Sequence, residues 1–207
     1  MITWATITSL QKRAPFSTLF PIEPHTLAAI KENMESNGYD ESKPIDTWKE
    51  QGIVVDGYTR LEAATQAGIA RVPIYEHSFP DEQAALEYAI HNQRDRRNMT
   101  DADILRCVAA LDARKQRGGD HKSNGFAESI TQDYVIEPPI PTSHHTAEII
   151  GISPRKVEQA RTVLDHADED VKQAVLDGDM SINKAYNETQ ERRKEEPVKK
   201  ATISTFN

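Results

Sequence analysis

Residues 54–69, VVDGYTRLEAATQAGI, constrain the fold more than any other stretch of this chain. Two valines carry strand character into Asp56-Gly57, and a helical pattern begins almost at once and runs to Gly68. A strand, a glycine turn and a helix in immediate succession define an α/β unit. They also aim the N–H groups and partial positive charge of a helix start at one point. Gly57 lets a backbone approach a ligand closely. Thr59 offers a hydroxyl, and Arg60, on the first helical turn, offers a forked cation suited to phosphate. On this stretch alone two readings stand: an anion cradle, or a plain turn whose arginine pairs with a surface carboxylate. Asp56 either caps the turn or serves as a base or metal ligand.

The flanking patterns extend the α/β reading. ITWATITSL is β-rich, and KPIDTW, IVVD and RVPIYEH are further short strand candidates. HTLAAIKENMESNG has helical spacing at Leu27, Ile30 and Met34, and Gly38 is its stop. DEQAALEYAIHNQ opens with an acidic turn. TDADILRCVAALDARKQ has Thr100 as N-cap with Asp103 three residues on, close to a capping box. Residues 1–116 therefore form one mixed α/β domain. Residues 117–141, rich in Gly, Pro and Ser and without sustained period, read as a linker. Residues 142–193 return to an all-helical pattern, and 194–207, with Pro197 and few apolar anchors, read as a loose tail.

Composition bounds the function. The net charge of −8 excludes a general polyanion binder, so any nucleic-acid contact must come from a local basic patch. The hydrophobic fraction of 37% leaves room for a long polar region outside the core. The single cysteine, Cys107, forms no intrachain disulfide and lies on the apolar side of a helix. No apolar run reaches a membrane span, so a cytoplasmic protein without membrane partners is expected. No metal site is expected, since adjacent His144 and His145 diverge on a helix and His91 and His121 have no spaced partners.

A second basic cluster, NQRDRRNMT, brings Arg94, Arg96 and Arg97 together with Asn92, Gln93 and Asn98 at a junction between two helices. It reads either as a solvated helix end, where cations suit the C-terminal dipole, or as the far wall of a polyphosphate site. Here a family resemblance enters. The order of segments resembles the N-terminal domain of the ParB family, the ParB/sulfiredoxin fold. The segments are GYDESKPI, then GYTRLEA, matching GxxRxxA at Gly57, Arg60 and Ala63, then HNQRDRRNMT. The likeness spans roughly residues 20–116 and is nearest to the divergent plasmid and phage branch.

The resemblance implies a nucleoside triphosphate site, CTP or another nucleotide with Mg²⁺. Gly57, Tyr58, Thr59 and Arg60 would line the phosphates on one side, with Asn92, Gln93, Arg94, Arg96 and Arg97 on the other. The sequence departs from the pattern where the family carries a hydrolytic glutamate, here His91 or Gln93, so a weak CTPase lacks its usual residue. It also lacks the cysteine of sulfiredoxin and the DGHHR of the free-serine kinase, having DGYTR instead.

SHHTAEIIGISPRKVEQART, residues 143–162, has the spacing of a helix-turn-helix. Ala147 sits at the helix contact, Gly151 at the bend and Val157 as the pin of the second helix, with Ile150, Ile152 and Ala160 also inward. Ser153 caps that helix and Pro154 takes its first position. Ser153, Arg155, Lys156, Gln159, Arg161 and Thr162 would face DNA, the alternative being a hairpin used only for packing. The following helices, with GDMSINKA, resemble those of ParB and KorB proteins. The expectation is a ParB/KorB-like regulator, of partition or transcription, binding double-stranded DNA as a homodimer. The rival is a nucleotide-dependent phosphotransferase or nuclease on the same fold, with Asp56 as its candidate catalytic residue; an interaction adaptor without ligand is a third reading. A lack of a second placed carboxylate argues against two-metal hydrolysis.

Overall fold

The computed structural model describes residues 2–96, 98–113 and 142–203. Met1, Arg97, residues 114–141, which include the whole of the expected linker, and the last four residues lie outside them. Four strands, β1 (Ile2–Thr6), β2 (Ile45–Trp48), β3 (Ile53–Asp56) and β4 (Arg71–His77), form one sheet in the order β1-β4-β2-β3. β4 runs antiparallel to β1 and parallel to β2, and β2 runs antiparallel to β3. The expected mixed α/β unit is thus present, with each strand where the β-branched runs placed it.

Period-two alternation splits the strand side chains between two layers. Val54, Val72 and Ile74 pack with Met34 and Leu61, under α2 (Pro24–Asn37) and α3 (Tyr58–Gln66). Ile53, Val55 and Trp48 face α4 (Glu82–Arg94), α5 (Asp101–Asp112) and a short helix, α1 (Phe16–Leu19). The sequence reading left α1 as loop. Phe16 and Leu19 give it two anchors but too few residues for a period. Thr100 and Asp103 close the capping box that their spacing suggested.

Residues 142–203 add α6 (Ser143–Ile150), α7 (Pro154–His166), α8 (Glu169–Leu176) and α9 (Ile182–Ile203). α5 shares its core with them. Ile104, Leu105, Cys107, Val108 and Leu111 are all buried, an apolar surface too wide for one neighbour, and α5 packs against both the sheet unit and α6, α7 and α8. The division near residue 116 is therefore a division of the chain and not of the core. α9 also continues into the stretch read as a loose tail, as far as Ile203. Glu, Lys and Arg are good helix formers, so the backbone stays helical there without an apolar stripe. Among the described residues no helix is long and apolar enough to cross a membrane.

Gly151 ends α6 with φ 80° and ψ 37°, and a Cβ there would lie 2.6 Å from Arg94 Cδ. Gly151→Ala is expected to cost about 1–2 kcal/mol for the left-handed backbone. Read by thermal melting, that is a fall of about 4 °C for a chain of this size.

Candidate functional site

The site grows out of the end of β3. Asp56 is the last strand residue and is 6% exposed. Its Oδ1 accepts from the Gly57 N–H at 2.7 Å and from Gln93 Nε2 at 2.7 Å, and its Oδ2 accepts from Arg96 Nη1 at 2.9 Å. One carboxylate thus pins the turn to the C-terminal end of α4. Both its oxygens are committed, so Asp56 is an anchor rather than an open base.

Gly57 turns the chain at φ 100°, and a Cβ there would meet Arg60 Nη2 at 2.9 Å and Ile45 Cδ1 at 3.0 Å. The Arg60 guanidinium therefore folds back over the turn. It has no hydrogen bond or ion pair among the described residues, and its Nε is buried without a partner. A partly buried cation left unpaired is costly unless an anion completes it.

Arg60 stands between two lobes of one cleft. The inner lobe, about 350 Å³, has an apolar wall of Phe16, Leu19, Phe20, Pro21 and Ile30 facing Lys43, Gly57, Thr59, Arg60, Gln93 and Arg96. The outer lobe, about 610 Å³, is bounded by Ser42, Lys43, Pro44, Asp46, Arg60, Tyr75, His77, Tyr88 and Arg96. Lys43, Arg60 and Arg96 line both, so three cations meet at the junction, of which, among the described residues, only Arg96 is already paired, with Asp56. A larger cavity of about 1070 Å³ lies between α1, α4 and α5. Its cations are already paired, Arg13 with Glu82 at 3.4 Å and Arg106 with Asp103 at 3.6 Å, so it carries no surplus charge.

The arginine cluster divides. Arg96 and Gln93 line the cleft, whereas Arg94 does not. Its Nη1 donates to the carbonyls of Glu148 at 3.0 Å and Ile149 at 3.3 Å, at the C-terminal end of α6, where a cation meets the negative end of the helix dipole. Arg94 is thus a fastener between α4 and α6, which corrects its placement on a phosphate wall. Tyr58 lines the inner lobe; its hydroxyl donates to the Val54 carbonyl at 2.7 Å, and burial pushes its pKa up to about 12. Its backbone, not its phenol, is what the turn offers. Thr59 lines the inner lobe. Asn92 borders neither lobe.

Sequence reasoning missed Lys43 and the outer lobe's Asp46, His77 and Tyr88. A signal existed in YEHSF, where Tyr75, His77 and Phe79 alternate along a strand end, and in a carboxylate set inside the apolar IDTW.

The second expected surface is on α7. Thr142 and Ser153 accept from the backbone N–H groups of His145 and Lys156, capping α6 and α7. Ala147, Ile150, Val157 and Ala160 are buried at the helix contact. Arg155 is exposed and has no partner among the described residues. Lys156 pairs with Asp101 at 2.7 Å, Gln159 donates to Asn183 Oδ1 at 2.9 Å, and Thr162 donates to the Glu158 carbonyl at 2.9 Å. Arg161 turns inward. It holds Asp112 through Nε at 2.7 Å and Nη2 at 2.8 Å, and also reaches the hydroxyls of Ser143 and Thr146 at 3.1 Å. Its expected DNA contact is corrected to a clamp of α7 on α5 and α6, because the bidentate carboxylate geometry is available inside and not outside.

This sheet order, the glycine turn at its edge and the helices packed on both faces are the ParB fold. Two structures of the pNOB8-like ParB N-domain share it. The C2221 form does so with a TM-score of 0.55 and 15% identity, over 90% of this chain and 78% of that one. The other has a TM-score of 0.52 and 16% identity, over 90% and 73%. The C-terminally truncated chromosome-partitioning protein ParB from Caulobacter crescentus, complexed to the centromeric parS site, is similar with a TM-score of 0.51 and 19% identity, over 90% and 84%. No protein-family model matches the chain, and no curated protein matches it in sequence. The resemblance drawn from the three ordered segments is borne out at the level of fold.

Proposed function

We propose that this chain is a ParB-like DNA-binding protein, a partition or transcription factor of a plasmid or phage, switched by a nucleoside triphosphate in the cleft at Arg60. The observation that carries the reading is the unpartnered Arg60 guanidinium, folded over a glycine turn that no side chain could share. The residues fit the group. Arg60, Arg96 and Lys43 would hold phosphates, the N–H groups at the start of α3 would face them, and the apolar inner wall would take a sugar or base. CTP is the nucleotide that the family resemblance favours. Mg²⁺ would be carried on the phosphates, since both Asp56 oxygens are engaged.

α6, the turn at Gly151 and α7 then form the helix-turn-helix, with Ser153 and Arg155 at the leading end of the recognition helix. The similar Caulobacter protein complexed to parS supports duplex DNA as the partner. DNA sites for such modules come in pairs, which favours a homodimer acting in the cytoplasm.

The test is a thermal-shift panel of CTP, ATP, GTP and UTP, each with Mg²⁺, on the wild type and Arg60→Ala. A nucleotide at about 100 times its Kd stabilises by about 2.7 kcal/mol. One nucleotide is expected to raise the melting temperature of the wild type and to leave Arg60→Ala unmoved. No shift with any of the four would overturn the nucleotide reading and leave α7 alone to carry the function.

A further inference from the structure

The outer lobe contains a hydrogen-bonded cluster that the nucleotide-switch reading does not use. His77 Nε2 lies 2.8 Å from Asp46 Oδ1, and the Tyr88 hydroxyl donates to the same oxygen at 3.2 Å while standing 3.0 Å from Nε2. Asp46 is 8% exposed, so its carboxylate is held away from bulk water beside the imidazole. The ring is boxed by Tyr75, Tyr88 and Phe79, at centroid distances of 4.6, 4.4 and 5.7 Å.

An ionised carboxylate only accepts, so in the neutral ring Nε2 carries the proton and Nδ1 keeps its lone pair. Nδ1 has no hydrogen-bond partner among the described residues, and His77 lines the lobe shared with Lys43, Arg60 and Arg96. A carboxylate fixing the tautomer of a histidine that lines a cationic cleft is the arrangement of a general base with its orienting partner.

We propose that His77 accepts the proton of a water that attacks the terminal phosphate of a nucleoside triphosphate held at Arg60, with Asp46 and Tyr88 as positioning residues. The water oxygen forms a bond to the terminal phosphorus. The bond from that phosphorus to its bridging oxygen breaks, the electron pair leaves with the nucleoside diphosphate, and the water proton moves to Nδ1 before returning to solvent. The inference rests on the nucleotide reading of the cleft. It supplies from β4 and β2 the base that the α4 segment, with His91 or Gln93, does not provide as a carboxylate.

The experiment measures phosphate release and the nucleotide-induced melting shift side by side, with the four nucleotides and Mg²⁺, in the wild type, His77→Gln, His77→Gly, Asp46→Asn and Tyr88→Phe. The expected result is a retained shift in His77→Gln with phosphate release down by about 10²–10⁴-fold, and partial recovery of His77→Gly by added imidazole. Tyr88→Phe, the mildest change, is expected to lower kcat with KM unchanged, and it stands in if the His77 variants do not fold. Phosphate release in His77→Gln at the wild-type rate, or a wild type that binds nucleotide and releases none, would overturn the proposal and leave the nucleotide switch intact. A wild type without any melting shift would overturn both.

Discussion

Asp56→Ala is expected to lower the unfolding free energy by about 2–4 kcal/mol and to weaken nucleotide stabilisation with it. The carboxylate is buried and serves three donors at once: the turn N–H, Gln93 and Arg96. Its removal leaves Gln93 Nε2 and the Gly57 N–H without their acceptor, and each unsatisfied buried group costs about 1–3 kcal/mol. Arg96 adds less, because its side chain is 51% exposed and water takes over its charge. The ligand effect follows from geometry: Asp56 fixes both the turn beneath Arg60 and the side chain of Arg96 across the cleft. Chemical denaturation, with and without CTP and Mg²⁺, measures both. A variant as stable as the wild type would show that the α4 end is held by other contacts. A phosphotransferase using Asp56 as its base would instead lose turnover with stability unchanged.

The second large effect separates two arginines of one helix. Arg155→Ala is expected to leave the melting temperature where it is and to weaken duplex DNA binding by about 1–3 kcal/mol, roughly fivefold to 150-fold. Arg161→Ala is expected to do the reverse first: it removes a bidentate pair with Asp112 and two hydroxyl contacts, and costs about 2–4 kcal/mol of stability. For a chain of this size that is about 8 °C of melting temperature. DNA selected from a random duplex library at low salt, then titrated with salt, gives the affinity. If Arg155→Ala bound as tightly as the wild type, with an unchanged salt slope, α7 would not be the recognition helix.

Much of the fold was legible because its signals are local. Caps at Thr100 and Ser153, stops at Gly38 and Gly151, and the alternation of IVVD each depend on residues within one turn or one strand. α1 escaped because four residues between prolines show no period. The sharing of α5 was half visible, since its apolar positions cover more than one face. Which neighbours would cover them was not.

The candidate site was legible only at its first wall. DGYTR is continuous in sequence, so its strand, turn and helix could be read directly, and Arg60 came with them. The opposite wall depends on where long side chains go. Arg94, Arg96 and Arg161 are one residue type, yet one fastens α6, one faces the cleft and one clamps α5. A guanidinium reaches whichever carbonyls, carboxylates or anions the packing sets within its length, and no pattern in the chain states which those are. The same holds for Asp46, His77 and Tyr88. His77 and Tyr88 are 31 and 42 residues from Asp46 in the chain. They meet because β4 runs parallel to β2 with Trp48 opposite His77, and because α4 lies across that face of the sheet. By itself the sequence determined the elements, their order and the glycine turn with its arginine, since short-range sterics and hydrogen bonding settle those. Tertiary structure alone decided which charges are internal fasteners and which line the cleft, because that depends on distances between elements that only packing sets.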